Sequence, residues 1–238
     1  MSIYVIGDLH LPFGENKPMD VFGEKWQGYT DKLKEDWKSK VKPEDTVILA
    51  GDFSWATYLK NTYKDFEYIN ELPGKKILLK GNHDYWWTTI KSMKQYLEEN
   101  EFENIDFLHN NSFCIEDKII VGTRGWALLD SENSQKMIKR ESSRLELSIK
   151  DAIEKYGEDK ELICIMHYPP ITKTKMKNEY TYDSQFLDVM KKYNIKKCYY
   201  GHLHSNSHKD AVEGNIEGIE FYLISGDYLE FNLKLIDK

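Results

Sequence analysis

Five short apolar runs in this chain each end in a side chain that seeks metal ions. IYVIG leads into Asp8-Leu9-His10, TVILAG into Asp52, KILLKG into Asn82-His83-Asp84, LICIM into His167, and CYYG into His202-Leu203-His204. Apolar runs of this length read as buried strands of an α/β sheet, and ligands of such sheets bind beyond the carboxyl ends of the strands. Strand ends that deliver Asp, Asn and His to one edge are hard to explain as packing and easy to explain as a metal centre. Singly, an Asp-x-His or a His-x-His is weak evidence, and a lone His167 reads as a core histidine. Jointly the pattern is strong, because five of the seven histidines fall in these motifs. His109 and His208 lie outside them, and His208 reads as a surface residue.

The 238 residues show no internal repeat and no low-complexity linker, so the chain reads as a single domain, 1–238. Acidic residues outnumber basic ones, 40 to 33, for a net charge of −7. That balance argues against a general nucleic-acid binder but leaves room for a nuclease whose metals supply positive charge. The basic charge is nearly all Lys; the only arginines are Arg124, Arg140 and Arg144. Cys114, Cys164 and Cys198 are far apart in apolar contexts with no C-x-x-C spacing, as expected of buried reduced thiols in a cytoplasmic protein. The N-terminus opens directly into an apolar strand, and no apolar stretch approaches the ~20 residues that span a bilayer. No membrane association is expected, and nothing in the pattern specifies an oligomeric state.

Strands are predicted at 3–6, 46–50, 76–79, 113–115, 119–122, 162–166, 197–200, 219–224 and 231–236. Helices are predicted at 29–40, 58–72, 88–99, roughly 134–156 with its stop at Gly157, and 184–193. Strand–helix alternation over the first hundred residues implies βαβ units and a parallel sheet. Residues 112–122 read instead as a hairpin turning at Glu116-Asp117-Lys118, and the last thirty residues as strands without helices. The fold class that fits is α/β, with two mixed β-sheets packed face to face and flanked by helices. The Gly- and Pro-rich segment 11–28 follows the first motif and reads as a loop over the site.

Asp8 and His10 are two apart, so an extended strand would point both to one side. Asp52 carries two oxygens that can bridge two ions, Asn82 offers a neutral carbonyl, and His167, His202 and His204 add imidazoles. Two divalent ions bring +4 and Asp8, Asp52 and a hydroxide bring −3, leaving a surplus of about +1 to suit an anionic phosphate. Mixed nitrogen and oxygen ligation points to Mn, Fe, Zn, Co or Ni rather than Ca or Mg, with Mn favoured. Gly7, Gly51, Gly81 and Gly201 each precede a motif. Positive φ or close backbone approach at these glycines is expected to swing the next side chain toward the shared centre.

In this order, D-x-H, G-D, G-N-H-D, H and G-H-x-H resemble the calcineurin-like metallophosphoesterase superfamily, over Asp8 to His204. The resemblance implies a four-layer α/β/β/α sandwich, two divalent metal ions, and hydrolysis of a phosphomonoester or phosphodiester by in-line attack of a hydroxide bridging the ions. It implies that Asp8, His10, Asp52 and His204 hold one ion, and that Asp52, Asn82, His167 and His202 hold the other. It gives His83 a catalytic role, contacting the phosphate and protonating the leaving oxygen. Many relatives read G-D-x-x-D, whose second Asp orients that histidine; here Gly51-Asp52-Phe53-Ser54-Trp55 places Trp there. Asp84 becomes the candidate orienting carboxylate, by adjacency alone. Without an acidic partner His83 would be a poorer proton donor near neutral pH, which favours a good leaving group.

Arg124 is a candidate guanidinium fork on a substrate phosphate, with a structural ion pair at a turn as the alternative. Trp55, Tyr85, Trp86 and Trp87 either wall a pocket or pack beneath the motif loops, and Trp26 is a candidate for the rim. The Lys-rich run 173–177 reads as a solvated face. The expected partner is a small phosphate ester; a nuclease and a phosphoprotein phosphatase remain alternatives among enzymes. An inactive scaffold of the same fold is the alternative outside them.

Overall fold

The computed structural model describes residues 1–15, 17–172, 174–176, 179–181 and 184–236. In chain order its first half holds β1 (Ile3–Ile6), α1 (Tyr29–Lys40), β2 (Thr46–Leu49), α2 (Tyr63–Asn70), β3 (Lys75–Leu79), α3 (Ile90–Glu99), β4 (Ile105–Leu108), β5 (Phe113–Ile115) and β6 (Lys118–Thr123). The second half holds α4 (Glu132–Tyr156), β7 (Glu161–Met166), the short hairpin β8 (Thr174–Met176) and β9 (Glu179–Thr181), α5 (Gln185–Lys192), β10 (Lys197–Tyr200), β11 (Gly214–Ile216), β12 (Ile219–Leu223) and β13 (Lys234–Ile236). The 173–177 lysine run has no described side chains.

Successive side chains on a strand point to opposite faces, and that alternation sorts the apolar residues into three cores. Val47 and Leu49 of β2 pack with Trp37 of α1, Phe66 of α2 and Met93 of α3. Between them in sequence, Ile48 faces the other way, into a core shared with Ile163 and Ile165 of β7. Cys164 and Met166 of β7 then turn outward to Leu145 and Ile149 of α4 and Phe186 of α5. The result is helices, sheet, sheet, helices: the α/β/β/α sandwich. A one-residue slip of β2 or β7 would exchange its two apolar sets, so the register is tightly specified.

The first sheet runs β13-β1-β2-β3-β4, with β1 to β4 parallel and β13 antiparallel at the edge. The second runs β11-β12-β10-β7-β6-β5, parallel at its centre with antiparallel edges. Cys164 and Cys198 stand opposite each other across β7 and β10, and both are free thiols. No described helix is long and apolar enough to cross a membrane.

Departures from the sequence expectation have local causes. β4 escapes the apolar-run rule because Asp106 interrupts it; the strand lies at the sheet edge, where Asp106 meets Lys75 and Lys94. β11 is an edge strand with exposed Gly214 and Asn215. The helix expected at 58–72 opens with a 3-10 turn, Leu59–Thr62, and the last strand begins late because Glu230 and Phe231 are left-handed, φ 53° and 60°. Segment 11–28 holds two 3-10 turns, Asp20–Phe22 and Glu24–Trp26.

Lys76 of β3 is fully buried, and its ammonium donates to the carbonyl of Leu72 just beyond α2. Burial pushes it down to about 7 from the ordinary 10.5. Between those values the unfolded chain holds a proton that the folded chain has released, so stability rises with pH through that window. Unfolding free energy from denaturant titration should therefore increase from about pH 7 to about pH 9, with ~1.4 kcal/mol per unit as the upper limit on its slope. Lys76→Met should remove this rise, and an equally steep profile in the variant would refute the account.

Candidate metal centre

The strand ends named by the motifs all lie at one edge, but glycine does less of the turning than the sequence suggested. Asp8, His10, Asp52 and His202 themselves adopt left-handed backbone, with φ of 58°, 45°, 50° and 75°. Among the glycines that precede the motifs, Gly51 alone is left-handed, at φ 91°. β1 stops at Ile6, so Asp8 and His10 converge through two left-handed residues rather than through strand alternation. Such residues are strained and persist where neighbours over-determine them. Here the N–H groups of Asp8 and His10 donate to the carbonyls of Gly51 and Asp52, both at 2.9 Å, and the N–H of His202 donates to Asp8 Oδ2 at 2.9 Å.

Two donor groups result. Asp8, His10 and His204 form one: His10 Nε2 is 3.3 Å from His204 Nε2, which is 3.5 Å from Asp8 Oδ1. In the other, His167 Nε2 is 2.6 Å from Asn82 Oδ1, which is 2.8 Å from His202 Nδ1. Asp52 Oδ2 faces both groups, 3.7 Å from His10 Nε2 and 3.6 Å from His167 Nε2. Donors bound to one ion at about 2.1 Å sit roughly 3–3.5 Å from each other, the spacing of the first group at 3.3 and 3.5 Å; Asn82 Oδ1 lies closer to its two imidazoles, at 2.6 and 2.8 Å.

The donor chemistry fits cations. His167 Nδ1 lies 3.1 Å from the carbonyl of Ala50 and donates to it, which leaves the lone pair of Nε2 aimed at the oxygen of Asn82. Two acceptors at that range repel unless positive charge lies between them. Asp8 Oδ1 is buried with no hydrogen-bond partner in the described structure. Burial, then the charge of Asp8, pushes the Asp52 carboxyl well above the usual carboxylate range, a shift that a neighbouring cation would reverse. His202 is pushed down to about 3 by burial and by His167, which leaves it a neutral donor. Burial opposes charge on His204, yet Asp227 and Asp8 outweigh it and raise the ring to about 10.

Asp227 is the residue the motif reading missed. Its Oδ1 accepts from His204 Nδ1 at 2.8 Å and its Oδ2 from the N–H of Ser205 at 3.0 Å, fixing the ring that faces Asp8. The signal was present: FYLISG runs into Asp227 just as TVILAG runs into Asp52. His208, read as a surface residue, lies 3.3 Å from Asp227 Oδ2 with most of its side chain covered.

Asp84 does not orient His83. Its two oxygens accept from the N–H groups of Gly81, Asp52 and Phe53 at 2.7, 2.9 and 2.9 Å and from the Trp86 indole at 3.0 Å. The His83 ring has no hydrogen-bond partner among the described residues. Trp55, in place of the second Asp, stacks on His10 at 4.5 Å and lies 4.8 Å from His83, with the Lys17 ammonium 3.2 Å above the indole. Burial lowers the His83 pKa, and the charges of His167 and Lys17 lower it further. Trp26 is not a rim residue: it is buried edge-on against His10 and packs on Tyr29 and Phe231. Trp86 and Trp87 are buried too, whereas Tyr85 is exposed beside His83. Arg124 lies 3.8 Å from Glu141 in a separate cleft.

The family model for calcineurin-like phosphoesterases matches residues 1–206. Among solved structures the chain is similar to phosphopantetheinyl hydrolase (PptH) from Mycobacterium tuberculosis, at 13% identity and TM-score 0.54, over 99% of this chain and 95% of that one. It is also similar to TT1561 of Thermus thermophilus, at 13% identity and TM-score 0.51, over 99% and 97%. At these identities the likeness is one of fold. No curated protein sequence matches the chain.

Gly51, Gly81 and Gly201 stand where backbone meets ligand, and the approach is tightest at the last two. A Cβ on Gly81 would lie 2.1 Å from Asp52 Oδ1 and 2.2 Å from its nitrogen, and one on Gly201 would lie 2.3 Å from Asp8 Oδ2. At Gly7 the nearest atom would be 3.4 Å away, an ordinary contact. Gly81→Ala and Gly201→Ala should each weaken Mn²⁺ binding by at least ~10-fold in equilibrium dialysis, while Gly7→Ala changes it little. Equal affinities across the three variants would contradict this geometry.

Proposed function

This chain belongs to the calcineurin-like phosphoesterases, and from that premise we propose that it hydrolyses a small phosphate mono- or diester using two divalent ions at the strand ends. The observation that carries the reading is the position of Asp52 Oδ2, 3.7 Å from His10 Nε2 and 3.6 Å from His167 Nε2, where its carboxylate would be shared by two ions. Asp8, His10, Asp52 and His204 would hold one ion; Asp52, Asn82, His167 and His202 would hold the second. The mixed nitrogen and oxygen set fits Mn, Fe, Zn, Co or Ni, and we take Mn as the first choice among them. Bound ions supply an acidified water for in-line attack and positive charge for the phosphoryl oxygens.

The chain's own residues supply positioning and proton transfer. Asp227 and the carbonyl of Ala50 hold His204 and His167 in the ring orientations that ligation needs. The His83 main-chain N–H donates to Asp52 Oδ1 at 2.7 Å, which leaves the imidazole free to meet the ester. That ring gives a proton to the leaving oxygen. With no carboxylate to raise its basicity, it works best on esters whose leaving group needs little protonation. Tyr168, 4.2 Å from the His202 ring, and the exposed Tyr85 offer flat surfaces to the organic part of the ester. The acidic surplus, 40 to 33, favours a small substrate over a polyanion. Facing free thiols suit the cytoplasm.

Hydrolysis of nitrophenyl phosphate and bis-nitrophenyl phosphate with added Mn²⁺ tests the reading. Activity should vanish with chelator and fall by more than ~100-fold in Asp52→Asn. Absence of turnover with every divalent metal, or turnover that survives both changes, would remove the proposal.

His83→Ala tests the proton donor separately. Turnover of an alkyl phosphate should fall ~100-fold or more, and turnover of the nitrophenyl ester much less, because nitrophenolate leaves without a proton. An equal loss on both esters would show that His83 serves phosphate binding alone.

A further inference from the structure

All three arginines of the chain meet in one place, outside the centre described above. A cleft of about 450 Å³ opens at the carboxyl ends of β3 and β6, walled by Lys80, Arg124, Arg140 and Arg144. Its one acidic wall residue is Glu141 of α4, which is buried. Glu141 Oε2 accepts from the Thr123 hydroxyl at 2.7 Å. Its Oε1 is shared by the three guanidiniums, at 2.9 Å from Arg144, 3.2 Å from Arg140 and 3.8 Å from Arg124.

A structural ion pair accounts for only part of this arrangement. One carboxylate stands against four cations, and its oxygens are already taken. The Arg124 guanidinium lies over Trp126 at 4.7 Å, and its Nε is buried without a hydrogen-bond partner in the described structure. Lys80 lines the same cleft and makes no ion pair among the described residues. The opening turn of α3 adds Thr88, Thr89 and Ile90 to the wall, with no acidic residue in that turn, so the positive end of the helix faces the same space. Surplus guanidinium forks with open donors match the planar oxygen pairs of phosphate better than any neutral ligand does.

We propose that this cleft is a second anion site, built for a phosphate-class dianion held by Arg124, Arg140, Arg144 and Lys80. It adjoins the metal centre through the chain itself. Lys80 lies two residues before Asn82, and the carbonyl of Arg124 accepts from the N–H of Tyr168 at 2.9 Å, the residue after His167. The same chemistry would suit a free phosphate or the non-reacting phosphate of an ester that carries two; only the second source rests on the phosphohydrolase reading.

Binding is tested without turnover. Inorganic pyrophosphate is titrated calorimetrically into the full-length Asp52→Asn chain with no divalent ion added. Saturable binding that weakens with salt is expected, with affinity falling at least ~10-fold when Arg140→Ala and Arg144→Ala are added. Lys80→Gln, which leaves the helix untouched, should lower it as well, and Arg140→Lys with Arg144→Lys should restore part of the loss. Far-UV circular dichroism and melting temperature verify the fold of each variant. No saturable binding, or affinity unchanged by both charge-removing variants, would overturn the site. With Mn²⁺-loaded wild type, fructose 1,6-bisphosphate and fructose 6-phosphate are then compared as inhibitors of nitrophenyl phosphate hydrolysis. Tighter inhibition by the bisphosphate, lost with the two arginines, assigns the cleft to a substrate's second phosphate. Equal inhibition beside arginine-dependent pyrophosphate binding assigns it to a free anion.

Discussion

The carboxylate of Asp84 is the knot on which the site depends. It is fully buried, and burial together with the charge of Asp52 raises it to about 6. What offsets that cost is a ring of donors from two separate loops, the N–H groups of Asp52 and Phe53 after β2 and that of Gly81 after β3. By accepting from both loops it fixes the separation of Asp52 from Asn82, hence of the oxygen that faces both donor groups from the amide that belongs to one. Gly81 permits the approach, since a side chain there would occupy the space of Asp52 itself. A carboxylate so used has nothing left for a histidine ring, which explains why adjacency misleads about its role.

The strain at the strand ends has a structural source of support. Four left-handed non-glycine residues crowd one edge, each costing on the order of 1–3 kcal/mol. They sit above three apolar layers whose large side chains, among them Trp37, Phe66, Tyr199 and Phe221, are fully buried, each contributing roughly 1.5–3 kcal/mol. The sandwich is thus stable enough to hold a region that is not relaxed. Trp55 takes part in the same crowding: its indole stacks on His10 and carries Lys17 on the other side, so a cation stands near His83 where many relatives place an acid.

Much of this was legible in the sequence where the physics is local. Helix α1 and strands β1 and β10 fall where their apolar periodicity placed them. The donors named from strand ends converge because each follows a buried run of its sheet. Legibility fails where an element is recognised by its neighbours. β4 and β11 are edge strands whose polar residues face solvent or an ion pair, so they lack the continuous apolar signature. Asp227 was hidden only by treating the final strands as structural, although the same run-then-Gly-Asp rule picks it out. Trp26 could not be placed by any local rule, since whether an indole in a loop covers a site or packs behind it depends on what stands opposite, here Tyr29 and Phe231.

The sequence by itself determined the kinds of atoms available and their order: carboxylates, an amide and imidazoles at the ends of buried strands, in a two-sheet fold. It did so because strand burial and side-chain alternation are properties of neighbouring residues. The tertiary structure alone decided which atoms share a space. Asp52 facing both donor groups, Asp84 turned to backbone rather than to His83, and arginines from the end of β6 and from α4 gathered around one glutamate are contacts between segments far apart in the chain. Such contacts are set by the packing of one sheet against another and of helices upon them, and no pattern of adjacent residues encodes that distance.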